Sequence, residues 1–186
     1  MTMRAFIAVR IDPAVGLKQV LARLQAMGRP VLAVRAADLH VTLRFLGPID
    51  PSQVDAIAAA ISTAVQGQRP LPIHLVGAGA FPNQQRPAVV WAGIDVAEPL
   101  RRIVARLAGP LEQAGFGPEG RPWQAHVTLA RIKARPPTAL VQLLADHAQS
   151  DFGRQIVGQV TLIESRLKPD GPQYSDVVSV GLVSDP

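Results

Sequence analysis

The chain contains no cysteine. A disulfide framework, a thiolate nucleophile and a cysteine-based metal site are all excluded. Aromatic residues are scarce, with two tryptophans, one tyrosine and five phenylalanines. Most of them are needed for a core, so few remain to meet a ligand. Lysine is rare beside arginine. No apolar run is long enough to span a bilayer, and MTMRAFIAVRID meets Arg10 and Asp12 too early for a signal peptide. A membrane role is not expected. No His-Glu-x-x-His, Gly-x-Ser-x-Gly elbow or dense carboxylate cluster occurs. Gly77-Ala78-Gly79-Ala80 lacks the Lys-Ser/Thr of a phosphate loop and reads as a turn or bulge. Neither a metal nor a cofactor is expected.

What is present is a repeat. His-Val-Thr-Leu occurs at His40–Leu43 and again at His126–Leu129. Each copy reads as a β-strand, in which residues i and i+2 share a face. His40 and Thr42 point together, as do His126 and Thr128. Two such strands in opposition set two imidazoles and two hydroxyls around one small ligand. One neutral imidazole takes a proton from a nucleophile while one imidazolium protonates a leaving oxygen. Threonine hydroxyls hold non-bridging phosphate oxygens. This is equipment for acid–base chemistry on a phosphodiester.

The 186 residues carry 48% hydrophobic residues, enough to fill a core, and a formal charge of +5 that favours polyanions such as RNA. Arg4–Arg10 reads as a buried strand. Asp12-Pro13 reads as an N-cap followed by proline at the first helical position. Val15, Leu17, Val20, Leu21, Leu24 and Met27 give a helix stopped by Gly28. A short strand over 31–34 precedes the first motif strand, which is expected to end at Gly47-Pro48. Asp50-Pro51 with Gln53 forms a capping box before a helix carrying Val54, Ile57, Ile61 and Val65. Strands follow over 72–76 and 88–94. A helix from Glu98 should kink or end at Gly109-Pro110. After a loop over 115–122 comes the second motif strand, then a short helix after Pro136-Pro137. Two long strands, over 155–167 and 174–183, close the chain around a turn at 168–173. The motif spacing is close to half the length. It implies a duplicated strand-and-helix unit forming one bilobal domain over residues 1–186.

The chain resembles the 2H phosphoesterases, and among them the bacterial and archaeal RNA 2′,3′-cyclic phosphodiesterases long called 2′-5′ RNA ligases. RAFIAVRID matches that family's opening strand, DLHVTLRFLG its first motif, RPWQAHVTLAR its second and ESRLKPDGPQYSDV its closing hairpin. Ala125 stands where the family often has proline. The resemblance implies an α+β (α/β) fold of two pseudo-symmetric lobes, each a largely antiparallel sheet flanked by helices, with a positively charged cleft between them. It implies metal-independent hydrolysis of an RNA 2′,3′-cyclic phosphate to a 2′-phosphate, and the reverse 2′-5′ joining. His126 would be the general base, His40 the general acid, and Thr42 and Thr128 the phosphate holders. The acid and base cannot be told apart from the motifs themselves. Its substrates would be RNA ends, tRNA among them, met by a cytoplasmic monomer. Another small cyclic or linear phosphodiester and a non-catalytic RNA-end-binding module remain alternatives.

Strict alternation puts Arg131 on the face away from His126, so binding phosphate needs a bulge. Arg44 falls on the His40 side and is a candidate for a flanking phosphate. Arg121 is a further basic candidate. Among Phe6, Phe45, Phe81, Trp91, Trp123 and Tyr174, the residues at strand or hairpin ends, Phe81 and Tyr174, are the better candidates for stacking on a base. Phe45 is out of phase with His40 and is assigned to the core. His74 and His147 are read as structural or solvated.

Overall fold

The computed structural model describes residues 2–168 and 171–183. Nine strands and four helices follow one another there: β1 (Met3–Arg10), α1 (Val15–Ala26), β2 (Val31–Ala33), β3 (His40–Ile49), α2 (Val54–Val65), β4 (Leu71–Phe81), β5 (Val89–Ile94), α3 (Glu98–Gln113), β6 (His126–Ile132), α4 (Thr138–Asp146), β7 (Asp151–Val157), β8 (Gln159–Lys168) and β9 (Gly171–Gly181). The strands form two sheets, ordered β3-β1-β8-β9 and β2-β6-β5-β4-β7. Every pairing is antiparallel. Each motif strand pairs with a strand that precedes it across a helix: β3 with β1 and β6 with β5.

One core joins both sheets. Val9, Val41 and Leu162 of the first sheet and Leu75, Val90 and Val127 of the second share it with Leu17, Ile57, Ile103 and Leu143 of the helices. Burying such side chains is worth about 1.5–3 kcal/mol each. The opposite face of the first sheet carries a separate small cluster, Phe6, Ala8 and Ile163 with Tyr174 against it. That face, bearing no helical residue in its cluster, is the one His40 shares.

Several sequence expectations need correction. Asp12 does not cap α1, which begins at Val15 with Ala14 as N-cap. The Gln155 side chain instead accepts from the Asp12 amide and donates to its carbonyl, tying the segment to β7. Helix α3 runs through Pro110 to Gln113. Its buried stripe of Leu100, Ile103, Leu107 and Leu111 spans the proline, and this packing outweighs the lost hydrogen bond. The strand expected over 155–167 is two strands in different sheets, parted at Gly158. Gly77 is the bulge (φ +70°), but β4 continues past it to Phe81. β3 likewise passes Gly47-Pro48 and ends at Ile49. The Asp50/Gln53 capping box forms as expected, on a single 3₁₀ turn that leads into α2. The tip of the closing hairpin, Pro169 and Asp170, lies outside the described residues.

Candidate active site

The two imidazoles are held in the same way. The Nδ1–H of His40 donates to the carbonyl of Asp38 at 2.7 Å, and that of His126 to the carbonyl of Gln124 at 2.9 Å. In each case the acceptor lies two residues upstream. A carbonyl only accepts, so Nδ1 carries the hydrogen and Nε2 is the free, proton-accepting nitrogen of the neutral ring. Aromatic rings back both. Phe6 lies 4.8 Å from His40 between ring centroids, and Tyr174 meets His40 edge-on at 5.2 Å. Phe81 meets His126 edge-on at 5.1 Å. Thr42 and Thr128 fall on the faces of their histidines, and all four residues are half-buried.

Each motif strand carries a bulge at the same place. In β3, Ala8 pairs with Thr42 but Ile7 with Arg44, so Leu43 is extra. In β6, Trp91 pairs with Thr128 but Val90 with Ala130, so Leu129 is extra. An extra residue reverses the alternation downstream. The fifth residue after each histidine therefore rejoins the histidine's face: Phe45 opposite Phe6, and Arg131 opposite Val89. Arg131 thus comes onto the histidine's face through the bulge. Two expectations fall to the same cause. Phe45 is not core; it is 62% exposed, with its ring 6.2 Å from Phe6. Arg44 lies on the face of Ile7, away from His40, and its guanidinium donates to the Gly117 carbonyl.

The sheets meet at this site. The charge of His126 acts on His40, and that of Arg131 acts on Tyr174. Burial is the main reason the His40 pKa lies below its usual value; the Arg10 and His126 charges lower it too, while the Asp38 carbonyl and carboxylate oppose them. Burial likewise raises the pKa of Tyr174. Arg10 stands opposite His40 in the register and pairs with Asp176. Arg10, Asp12, Ala36 and Asp176 line a hollow there. Arg35 holds the buried Asp38 carboxylate at 2.5 Å, fixing the segment that supplies the His40 acceptor. On the second sheet the Trp91 ring lies across Gly79, where an added Cβ would fall 2.3 Å from Cζ2.

The loop between α3 and β6 is clasped to the outer edge of β3. The Trp123 indole N–H donates to the Thr42 carbonyl at 2.8 Å, and the Phe45 N–H donates to Glu119 at 3.1 Å. Arg101 covers the Trp123 ring at 5.8 Å. Sequence reasoning missed Arg10, Asp38 and this clasp. Only Arg10 had a signal, as the third of Phe6, Ala8 and Arg10 in alternation. Arg121 is exposed on this loop. His74 lies between Asp95 and Asp151, at 3.5 and 3.0 Å, and His147 is the C-cap of α4, bonded to Ser150. Among the described residues no group of three or more His, Asp or Glu side chains is gathered to hold a metal ion, and no helix is long and apolar enough to cross a membrane.

The profile of the 2′-5′ RNA ligase superfamily matches residues 13–168. An RNA 2′,3′-cyclic phosphodiesterase of Methanothermobacter thermautotrophicus is 32% identical over 182 residues, 95% of this chain and 97% of that one. One of Aeropyrum pernix is 38% identical over 161 residues, 84% of this chain and 89% of that one. A crystal structure of a Thermus thermophilus protein superposes with a TM-score of 0.80 at 28% identity, covering 97% of this chain and 98% of that one. E. coli LigT complexed with 3′-AMP gives 0.74 at 23% identity over 99% of this chain and all of that one, a likeness of fold.

Proposed function

Since the chain belongs to the 2′-5′ RNA ligase superfamily, we propose that it is a 2′,3′-cyclic phosphodiesterase acting on RNA ends, with His40 and His126 as its acid–base pair. The observation that carries the reading is the matched anchoring of the two rings, Nδ1 to an upstream carbonyl, Nε2 free. One Nε2 accepts a proton from water as the water oxygen attacks phosphorus. The P–O3′ bond breaks, and the other imidazolium protonates the departing 3′-oxygen. A 2′-phosphomonoester results. The two threonine hydroxyls and Arg131 hold the phosphate oxygens, and charge on those oxygens is met without a metal.

Family resemblance gives His126 the base role and His40 the acid role. Phe81 and Tyr174 act by buttressing the imidazoles, while Phe45, the exposed ring on the same face, packs against the terminal base. Reverse joining through a 2′-5′ bond uses the same groups in exchanged roles. The chain is read as one bilobal unit made by duplication; the matching bulges and the matching strand–helix–strand pairings support this.

The test is a short RNA ending in 2′,3′-cyclic phosphate, incubated in excess EDTA with the parent protein or the His126→Ala variant, and followed by phosphorus NMR. A 2′-phosphate formed by the parent alone is expected. A 3′-phosphate would overturn the leaving-group assignment, and turnover lost to EDTA would overturn the metal-free mechanism.

A further inference from the structure

Three segments end together at one end of the five-stranded sheet. The entry to β2, the entry to β5 and the exit of β6 are stitched by Lys133 N–H to the Pro30 carbonyl at 3.0 Å, Ile132 N–H to the Ala88 carbonyl at 2.9 Å and Ala88 N–H to the Phe81 carbonyl at 2.7 Å. Residues 28–33, 81–90 and 130–138 carry five of the 19 basic residues, Arg29, Arg86, Arg131, Lys133 and Arg135, and none of the 14 acidic ones. All five are exposed.

Five other arginines have carboxylate partners: Arg10 with Asp176, Arg23 with Asp146, Arg35 with Asp38, Arg101 with Glu98 and Arg166 with Glu164. Among the described residues none of the five in these segments has one. The patch begins inside the site, because the β6 bulge turns Arg131 onto the histidine face. Neighbouring strands stand about 4.8 Å apart, so the cations beyond Arg131 extend about 10 Å across three strands. Asn83, Gln84 and Gln85, in the loop before Arg86, add neutral hydrogen-bonding groups.

We infer that this end of the sheet is a docking track for the RNA strand leading to the reacting end, gripping its phosphates without reading its bases. The inference rests on the proposed phosphodiesterase reading. A positive surface built from segments without carboxylates, continuous with a phosphate-binding arginine, fits a single-stranded polyanion. The track adds affinity for a chain over a lone cyclic nucleotide. It adds nothing to the chemical step.

The experiment compares a decaribonucleotide ending in 2′,3′-cyclic phosphate with 2′,3′-cyclic AMP. Two phosphate contacts give a salt slope of about −1.4, so the decamer's KM should rise about sevenfold between about 50 and 200 mM salt. Substituting Arg29, Arg86, Lys133 and Arg135 together with alanine should raise the decamer's KM to a similar extent and flatten its salt dependence. Its kcat and both constants for the cyclic mononucleotide should stay unchanged. An unchanged decamer KM would overturn the track, as would an equal loss on both substrates. Fluorescence anisotropy of a labelled decamer with a 3′-hydroxyl end separates the two readings. Salt-sensitive binding lost in the variant supports the track even if the parent turns over neither substrate. Binding of phosphatidylserine vesicles but not the decamer through these residues would assign the surface to a membrane instead.

Discussion

His40 and His126 open identical tetrapeptides and have the same backbone anchor, yet they differ in surroundings. His40 is packed by Phe6 and Tyr174 and faces Arg10; Phe81 stands beside His126. Replacing either histidine with alanine should lower kcat by about 10²–10⁴, with the circular dichroism spectrum retained. The pH profile carries a sign. With His40 as acid, activity needs its imidazolium, whose pKa lies below 6.5 in the free enzyme. The kcat/KM profile should be bell-shaped, and the limb that reports His40 should lie below 6.5. Arg10→Met removes a cation that lowers this pKa, so that limb should move to higher pH. A limb fixed in place would remove Arg10 from the account. Phe45→Ala should raise KM for RNA ends by about 5–150-fold, the equivalent of about 1–3 kcal/mol of base stacking, with kcat little changed.

Among the elements, β3 is an edge strand, and its outer carbonyl and amide groups need partners. The α3–β6 loop supplies them through Trp123 and Glu119. Trp123 stands three residues before His126 and bonds the backbone of Thr42, so one side chain ties the two motifs together. Trp123→Phe keeps an aromatic ring, though a smaller one, and loses the donor. It should cost about 0.5–1.5 kcal/mol in urea unfolding. It should also lower kcat, which a purely structural loss at saturating substrate would leave alone. At the floor of the second sheet, Gly79→Ala drives a methyl into Trp91. About 1–3 kcal/mol of destabilisation should appear in the same unfolding assay.

At the scale of the molecule, the chain crosses between sheets at Gly158, where β7 ends in one sheet and β8 begins in the other. The core is shared, with Val157 and Val160 on either side of the crossing both buried in it. Heating or urea should therefore unfold the chain in one cooperative transition, with far- and near-ultraviolet dichroism coincident. Two separated transitions would show lobes that fold independently.

Most of this architecture was legible in the residues. Helical spacing located α1 through α4, the Asp50/Gln53 box marked the entry to α2, and the twin His-Val-Thr-Leu segments marked β3 and β6. These signals are local, set by periodicity, capping and propensity within a few residues. The repeat also picked out the side chains proposed to do chemistry, since His and Thr two apart share a face in any strand. What only the tertiary structure decided is phase and partnership. A bulge is a mismatch between two strands and has no signature in one of them, so the exchange of Arg44 for Phe45 at the site, and the arrival of Arg131, followed from pairing. The break at Gly158 reflects two sheets competing for one apolar run. The Trp123 clasp and the carbonyl anchors of the imidazoles are bonds to backbone, which any sequence presents and only the fold brings within reach.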